Sequence, residues 1–170
     1  PVNFYCLMPA AWLSRAVGLF SVPVLQCYLL VTALGSLVLC GVLIRRVLAD
    51  APRGARRLIM LVLAFLFLLF SVNNYGVNNF GQREHLMFVL VMPYILVVAA
   101  RASGKPCQAW LAVVAGVLGG IGVSLKPHFV LVWLVMEAYL TLLRRCGMPW
   151  RRAESLSLAG VLALLALLIG

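Results

Sequence analysis

The run Val22-Pro-Val-Leu-Gln-Cys-Tyr-Leu-Leu-Val-Thr-Ala-Leu-Gly-Ser-Leu-Val-Leu-Cys-Gly-Val-Leu-Ile44 carries no charge. It closes on Arg45 and Arg46, with Arg53, Arg56 and Arg57 close behind. A helix needs ~20 apolar residues to cross the hydrocarbon core, and this run supplies them. In lipid every backbone N–H and C=O must be satisfied within the segment, so helix is the expected state. Five further apolar stretches follow at about 57–72, 86–100, 108–125, 128–143 and 155–170. The predicted fold is all-α. It is a polytopic transmembrane helix bundle of about six spans, forming a single transmembrane domain over residues 1–170, with an interfacial helix within residues 1–20. Two of the stretches hold only about fifteen residues at their apolar core, so they must borrow flanking residues or sit in a thinned bilayer.

The basic residues fall mostly in every second gap. Arg45, Arg46, Arg53, Arg56 and Arg57 follow the first stretch, Arg101 and Lys105 the third, and Arg144, Arg145, Arg151 and Arg152 the fifth. Only Arg15, Arg83 and Lys126 lie on the other side. Loops rich in Lys and Arg stay in the cytoplasm. The expected location is therefore a bacterial inner (plasma) membrane, with the Arg-rich loops cytoplasmic and Arg83 and Lys126 extracytoplasmic. The same sidedness accounts for the net charge of +10, which in a soluble protein would point to nucleic acid; none is expected as a partner. A mean hydropathy of +1.09 exceeds that of a soluble globular domain. Cys6, Cys27, Cys40, Cys107 and Cys146 form no C-x-x-C pair and read as small packing residues. The chain starts at Pro1 and stops within an apolar run, and is expected to be a fragment of a longer protein.

Two features read as architecture. Trp12, Leu13, Ala16, Val17 and Phe20 share one helical face, which suits an interfacial helix; the alternative is an extension of the first span with a kink at Pro23. Gly116 and Gly120 make a G-x-x-x-G spacing that permits close helix approach.

The candidate chemistry lies on the outer side. Val72-Asn-Asn-Tyr-Gly76 and Val77-Asn-Asn-Phe-Gly81 form a tandem pentapeptide. Asn and Gly make turns, and Asn74, Asn78 and Asn79 also offer the paired donors and acceptors that a sugar needs. Next come Arg83, Glu84 and His85. Arg83 presents a planar fork for phosphate, Glu84 can accept a proton, and His85 can transfer one near neutral pH. The structural alternative is an Arg–Glu pair with an interfacial His. The short turn Ser124-Leu-Lys-Pro-His128 holds Lys126 and His128 at the same surface, as contacts for a lipid phosphate or as a snorkelling cation. No cofactor is expected. A divalent metal on Glu84, His85 and His128 is chemically sufficient but lacks a spacing signature. Glu137, inside the fifth stretch, is expected to pair with Arg144 or Arg145.

In their order and sidedness these motifs resemble the membrane half of a GT-C-type glycosyltransferase. The nearest likeness is to the polyprenyl-phosphate-sugar-dependent group that includes protein O-mannosyltransferases and lipid A aminoarabinose transferases. Pro1-Val-Asn-Phe-Tyr5, Trp12 to Phe20, Arg45-Arg46, Arg83-Glu84-His85-Leu86 and the glycine-rich run from Gly116 to Lys126 carry the resemblance. It implies inverting transfer of a sugar from a polyprenyl-phosphate carrier to an acceptor on the extracytoplasmic face. It also implies Lys126 and Arg83 as phosphate contacts. The family's main acidic residue precedes the stretch matched by Pro1 and has no counterpart here. The family often has Asp-Pro or Arg-Pro where this chain has Arg83-Glu84, and many members have Gly where it has Pro127. Two other readings are a non-enzymatic subunit packed against partner membrane subunits, and a fragment of a transporter.

Overall fold

A computed structural model describes residues 11–16, 18, 21–72, 83–144, 146 and 148–169. Every regular element among them is helical, as the hydropathy pattern requires. We number the helices α1 (Ser21–Val47), α2 (Arg53–Val72), α3 (Arg83–Ala102), α4 (Ala109–Ser124), α5 (Val130–Ala138) and α6 (Ala153–Ile169). α5 runs on into a π turn at Tyr139–Leu143, and short 3-10 turns at Pro127–Phe129 and Pro149–Arg151 precede α5 and α6.

Residues 11–16 form a separate short helix. Gly18 then takes a positive φ of 67°, which breaks the chain direction before α1. The stretch is thus not an extension of the first span, and Pro23 sits in the first turn of α1, where its missing N–H costs nothing. Trp12 and Leu13 are exposed while Ser14 is buried.

The helices pack in the spatial order α2, α1, α3, α4, α6, with α5 beside α3 and α4. α4 owes its central place to its glycines, which face two ways. A Cβ on Gly116 would strike Ser157 and the Glu154 carbonyl, and one on Gly120 would lie 2.8 Å from the Val161 Cβ, both on α6. A Cβ on Gly122 would lie 2.7 Å from Val91 and one on Gly119 3.0 Å from Tyr94, both on α3. The G-x-x-x-G pair therefore sets the α4–α6 approach, and a second glycine pair sets α3–α4.

One polar contact inside the apolar core repairs a backbone defect. Pro93 lies within α3 and has no N–H, so the Val89 carbonyl loses its helical donor. Ser36 of α1, itself buried, donates its hydroxyl hydrogen to that carbonyl. Around it Ala33, Cys40, Ile44, Leu63, Phe67 and Val89 close the contact among α1, α2 and α3.

Two described helices are long and apolar enough to cross a bilayer, Gln26–Val47 and Glu84–Ala102. Ala109–Ser124, Val130–Leu143 and Ala153–Leu168 are apolar but shorter. At 1.5 Å per residue α4 spans about 24 Å, less than the ~30 Å hydrocarbon core. Among the described residues, then, two helices meet the spanning criteria of length and composition, against the six spans that the sequence leads us to expect. The outer surface of the bundle is apolar: Val31, Val38, Leu61, Phe65, Val135 and Leu167 are each more than three-fifths exposed. The interior holds Glu137, Arg152 and Glu154, all buried.

Candidate functional site

The end of the bundle at the start of α3 brings two distant motifs together. Glu84 lies in the first turn of α3, where the helix dipole favours a carboxylate. α4 ends at Ser124, and the 3-10 turn at Pro127–Phe129 reverses the chain beside it. The reversal carries Lys126 to Glu84, and its ammonium pairs with the Glu84 carboxylate. Both side chains remain partly exposed. The Lys126 Nζ also lies 5.9 Å from the ring centroid of Phe129, and the exposed His128 meets the same ring edge-on with centroids 4.6 Å apart. Phe129 is buried, so it anchors the turn in the core and fixes both basic groups above it.

His85 faces elsewhere. It is half-buried and hydrogen-bonded to the backbone of Phe67 on α2. Arg83 opens α3, but its side chain lies outside the described residues, as do Asn74, Asn78 and Asn79. The sequence-predicted site thus resolves into an assembled part, Glu84 with Lys126 and His128, and a separate His85. An ammonium has three N–H donors; with one directed to Glu84, two can still reach an anion.

No known protein family, curated protein or solved structure matches this chain. The geometry alone must therefore carry the functional argument.

The opposite end of the bundle holds a polar cluster that sequence reasoning only partly anticipated. Glu137 pairs with Arg152, where the sequence led us to expect Arg144 or Arg145; Arg145 lies outside the described residues. Arg144 is exposed and donates its Nε–H to the Tyr139 hydroxyl at 2.9 Å. The cause is local. The π turn at Tyr139–Leu143 turns Arg144 off the Glu137 face, while the turn at Pro149–Arg151 aims Arg152 back into the bundle. Glu137 Oε1 also accepts from Tyr94 at 2.7 Å, Trp133 at 3.1 Å and Ser155 at 2.6 Å. Arg152 donates to Thr141 as well, at 3.1 Å. Beside this, Arg101 makes a bidentate pair with the fully buried Glu154 at 3.0 and 3.2 Å. A signal did exist in the sequence: Trp133, Glu137 and Thr141 recur at i, i+4 and i+8, one polar stripe on an otherwise apolar helix. Among the described residues, no group of three His, Cys, Asp or Glu side chains is placed to hold a metal ion.

Proposed function

We propose that this chain is an integral membrane protein and forms part of a GT-C-type glycosyltransferase that takes its sugar from a polyprenyl-phosphate carrier. The bilayer part of this reading draws on the apolar outer surface combined with a charged, paired interior, an arrangement that water disfavours and lipid favours. The six-span topology, the inner-membrane location and the sidedness set by the arginine-rich loops belong to the same proposal, with the three shorter helices tilting little or sitting in thinned bilayer.

The observation that carries the transferase reading is the meeting of Glu84 with Lys126. Two motifs far apart in sequence, both on the face with few cations, converge at one point. In the proposed reaction the acceptor oxygen attacks the anomeric carbon and the bond from that carbon to the carrier phosphate breaks. The phosphate leaves with the electron pair and gains negative charge. Lys126, with Arg83 and His128, stabilises that charge, as preorganised cations do. Glu84 is the chain's own candidate to take the acceptor proton, since His85 is turned toward α2 and not into the assembled site, and Asn74, Asn78 and Asn79 are candidates to hold the sugar. The family's main acidic residue has no counterpart in these residues, so completing the reaction falls to a segment or subunit outside them. A photoactivatable polyprenyl phosphate, applied to the protein in its own membranes, tests this. The reading expects labelling near Lys126; labelling spread evenly over the lipid-facing helices contradicts it.

One observation favours a second reading, a non-enzymatic subunit that packs with partner membrane proteins. Lys126 is already neutralised by Glu84, and such a pair can serve as a fastener between α3 and the α4–α5 turn. The two readings separate on whether Lys126→Ala weakens ligand binding or only stability.

A further inference from the structure

A cavity of about 600 Å3 opens between the end of α1 and the start of α2, at the end of the bundle opposite Lys126. Its rim carries Arg45, Arg53, Arg56 and Arg57, and its floor includes Met60 and Ala64. On α2 these residues recur at helical spacing, so the charges lie at one end of a stripe and the apolar groups run from it toward the middle of the helix. Four guanidinium groups around one opening repel each other unless an anion lies among them. Among the described residues none of the four holds a carboxylate. At this same end Arg101, Lys105 and Arg152 each hold one. The groove also opens outward along Leu61, which is 67% exposed and would face acyl chains.

We infer that this groove is a binding site for an anionic phospholipid, with the headgroup phosphate among the four arginines and an acyl chain along Met60 and Ala64. A free phosphate ion has no use for the apolar floor, and a zwitterionic lipid has less use for four cations. Basic pockets between helices at the cytoplasmic surface take anionic headgroups on this logic. The inference rests on the bilayer reading of the fold but not on sugar transfer.

The test is native mass spectrometry of the full chain in neutral detergent, titrated with phosphatidylglycerol, with phosphatidylcholine of the same acyl chains, and with inorganic phosphate. The wild type should retain phosphatidylglycerol over phosphatidylcholine by about tenfold or more. R56Q should narrow that preference several-fold, whereas R151Q, an exposed arginine at the same end but off the groove, should leave it intact. A64F keeps all four charges and fills the floor; it should lower phosphatidylglycerol retention, and it stands as the test if the arginine variant fails to fold. Equal retention of the two lipids overturns the site, as does an R151Q loss matching that of R56Q. Unchanged retention in A64F, or displacement of the lipid by millimolar phosphate, would mean a soluble-anion site or none. Release of the chain from membranes by alkaline carbonate would instead contradict the bilayer reading itself.

Discussion

The Ser36 hydroxyl of α1 donates to the Val89 carbonyl of α3, the group that Pro93 deprives of its helical partner. Proline and serine are thus one device: the first breaks a hydrogen bond and the second replaces it from a neighbouring helix. Ser36→Ala should leave a buried carbonyl unsatisfied and cost about 1–2 kcal/mol in reversible unfolding in detergent. Pro93→Ala restores the N–H, so in its background Ser36→Ala should cost much less. Additive costs in the double-mutant cycle would show that the two residues act independently.

The glycines of α4 are predicted to differ sharply from those elsewhere. Gly116→Ala drives a methyl into Ser157 and the Glu154 backbone, and should destabilise by about 1–3 kcal/mol. Gly160→Ala meets nothing within 4 Å and should be neutral or mildly stabilising, since alanine is the better helix former. Thermal unfolding of the two variants side by side checks the contrast.

The Glu137–Arg152 pair is costly to break and cheap to replace. Glu137→Ala leaves a buried guanidinium whose Nε and Nη1 already have no hydrogen-bond partner among the described residues. A loss of about 3–5 kcal/mol is expected. Arg152→Met in the same chain should recover a large part of it, because neither charge then remains. A double variant as unstable as the sum of its parts would show that the two side chains act separately.

Much of this architecture was legible in the charge pattern. The apolar runs between arginines became helices, and sidedness placed Glu84 and Lys126 at one end of the bundle. Sidedness did not reveal that they touch, because contact depends on α4 returning against α3, which its second glycine pair controls. The partner of Glu137 was misassigned because a π turn shifts the helical register, and charge spacing does not encode that shift. Three of the apolar stretches form helices shorter than a full span because apolar composition extends into turns that the backbone closes early, as at Leu125. The arginines at 45–57 were read as an orientation signal, and only the packing of α1 on α2 gathers four of them around one cavity.

The Asp50–Lys105 pair, 2.8 Å across, links the α1–α2 and α3–α4 connections. The hydrogen bond from Lys105, then its charge, holds the Asp50 carboxyl below its ordinary value of 3.8. A depressed folded pKa means that the pair's contribution is present above that ordinary value and is lost as pH falls through the lower folded one. Asp50 is exposed, so the effect is small. Asp50→Asn should therefore cost a little near neutrality, where the pair is intact, and nothing in acid below the folded value, where Asp50 is protonated in the wild type too, so the acid limb of the stability curve flattens. A loss in acid as large as that at pH 7 would contradict the assignment.

The most direct test of the central claim is the affinity of the purified full chain for a polyprenyl phosphate, measured by native mass spectrometry for wild type, Lys126→Ala and Glu84→Gln. The account predicts retained lipid in the wild type and a clear loss with Lys126→Ala, while the unfolding temperature of that variant stays close to wild type. Glu84→Gln, which frees the ammonium, should bind the carrier as well as or better than wild type. Unchanged binding in Lys126→Ala, or a carrier that never binds the wild type, would contradict the phosphate site and leave the Glu84–Lys126 pair as a fastener between helices.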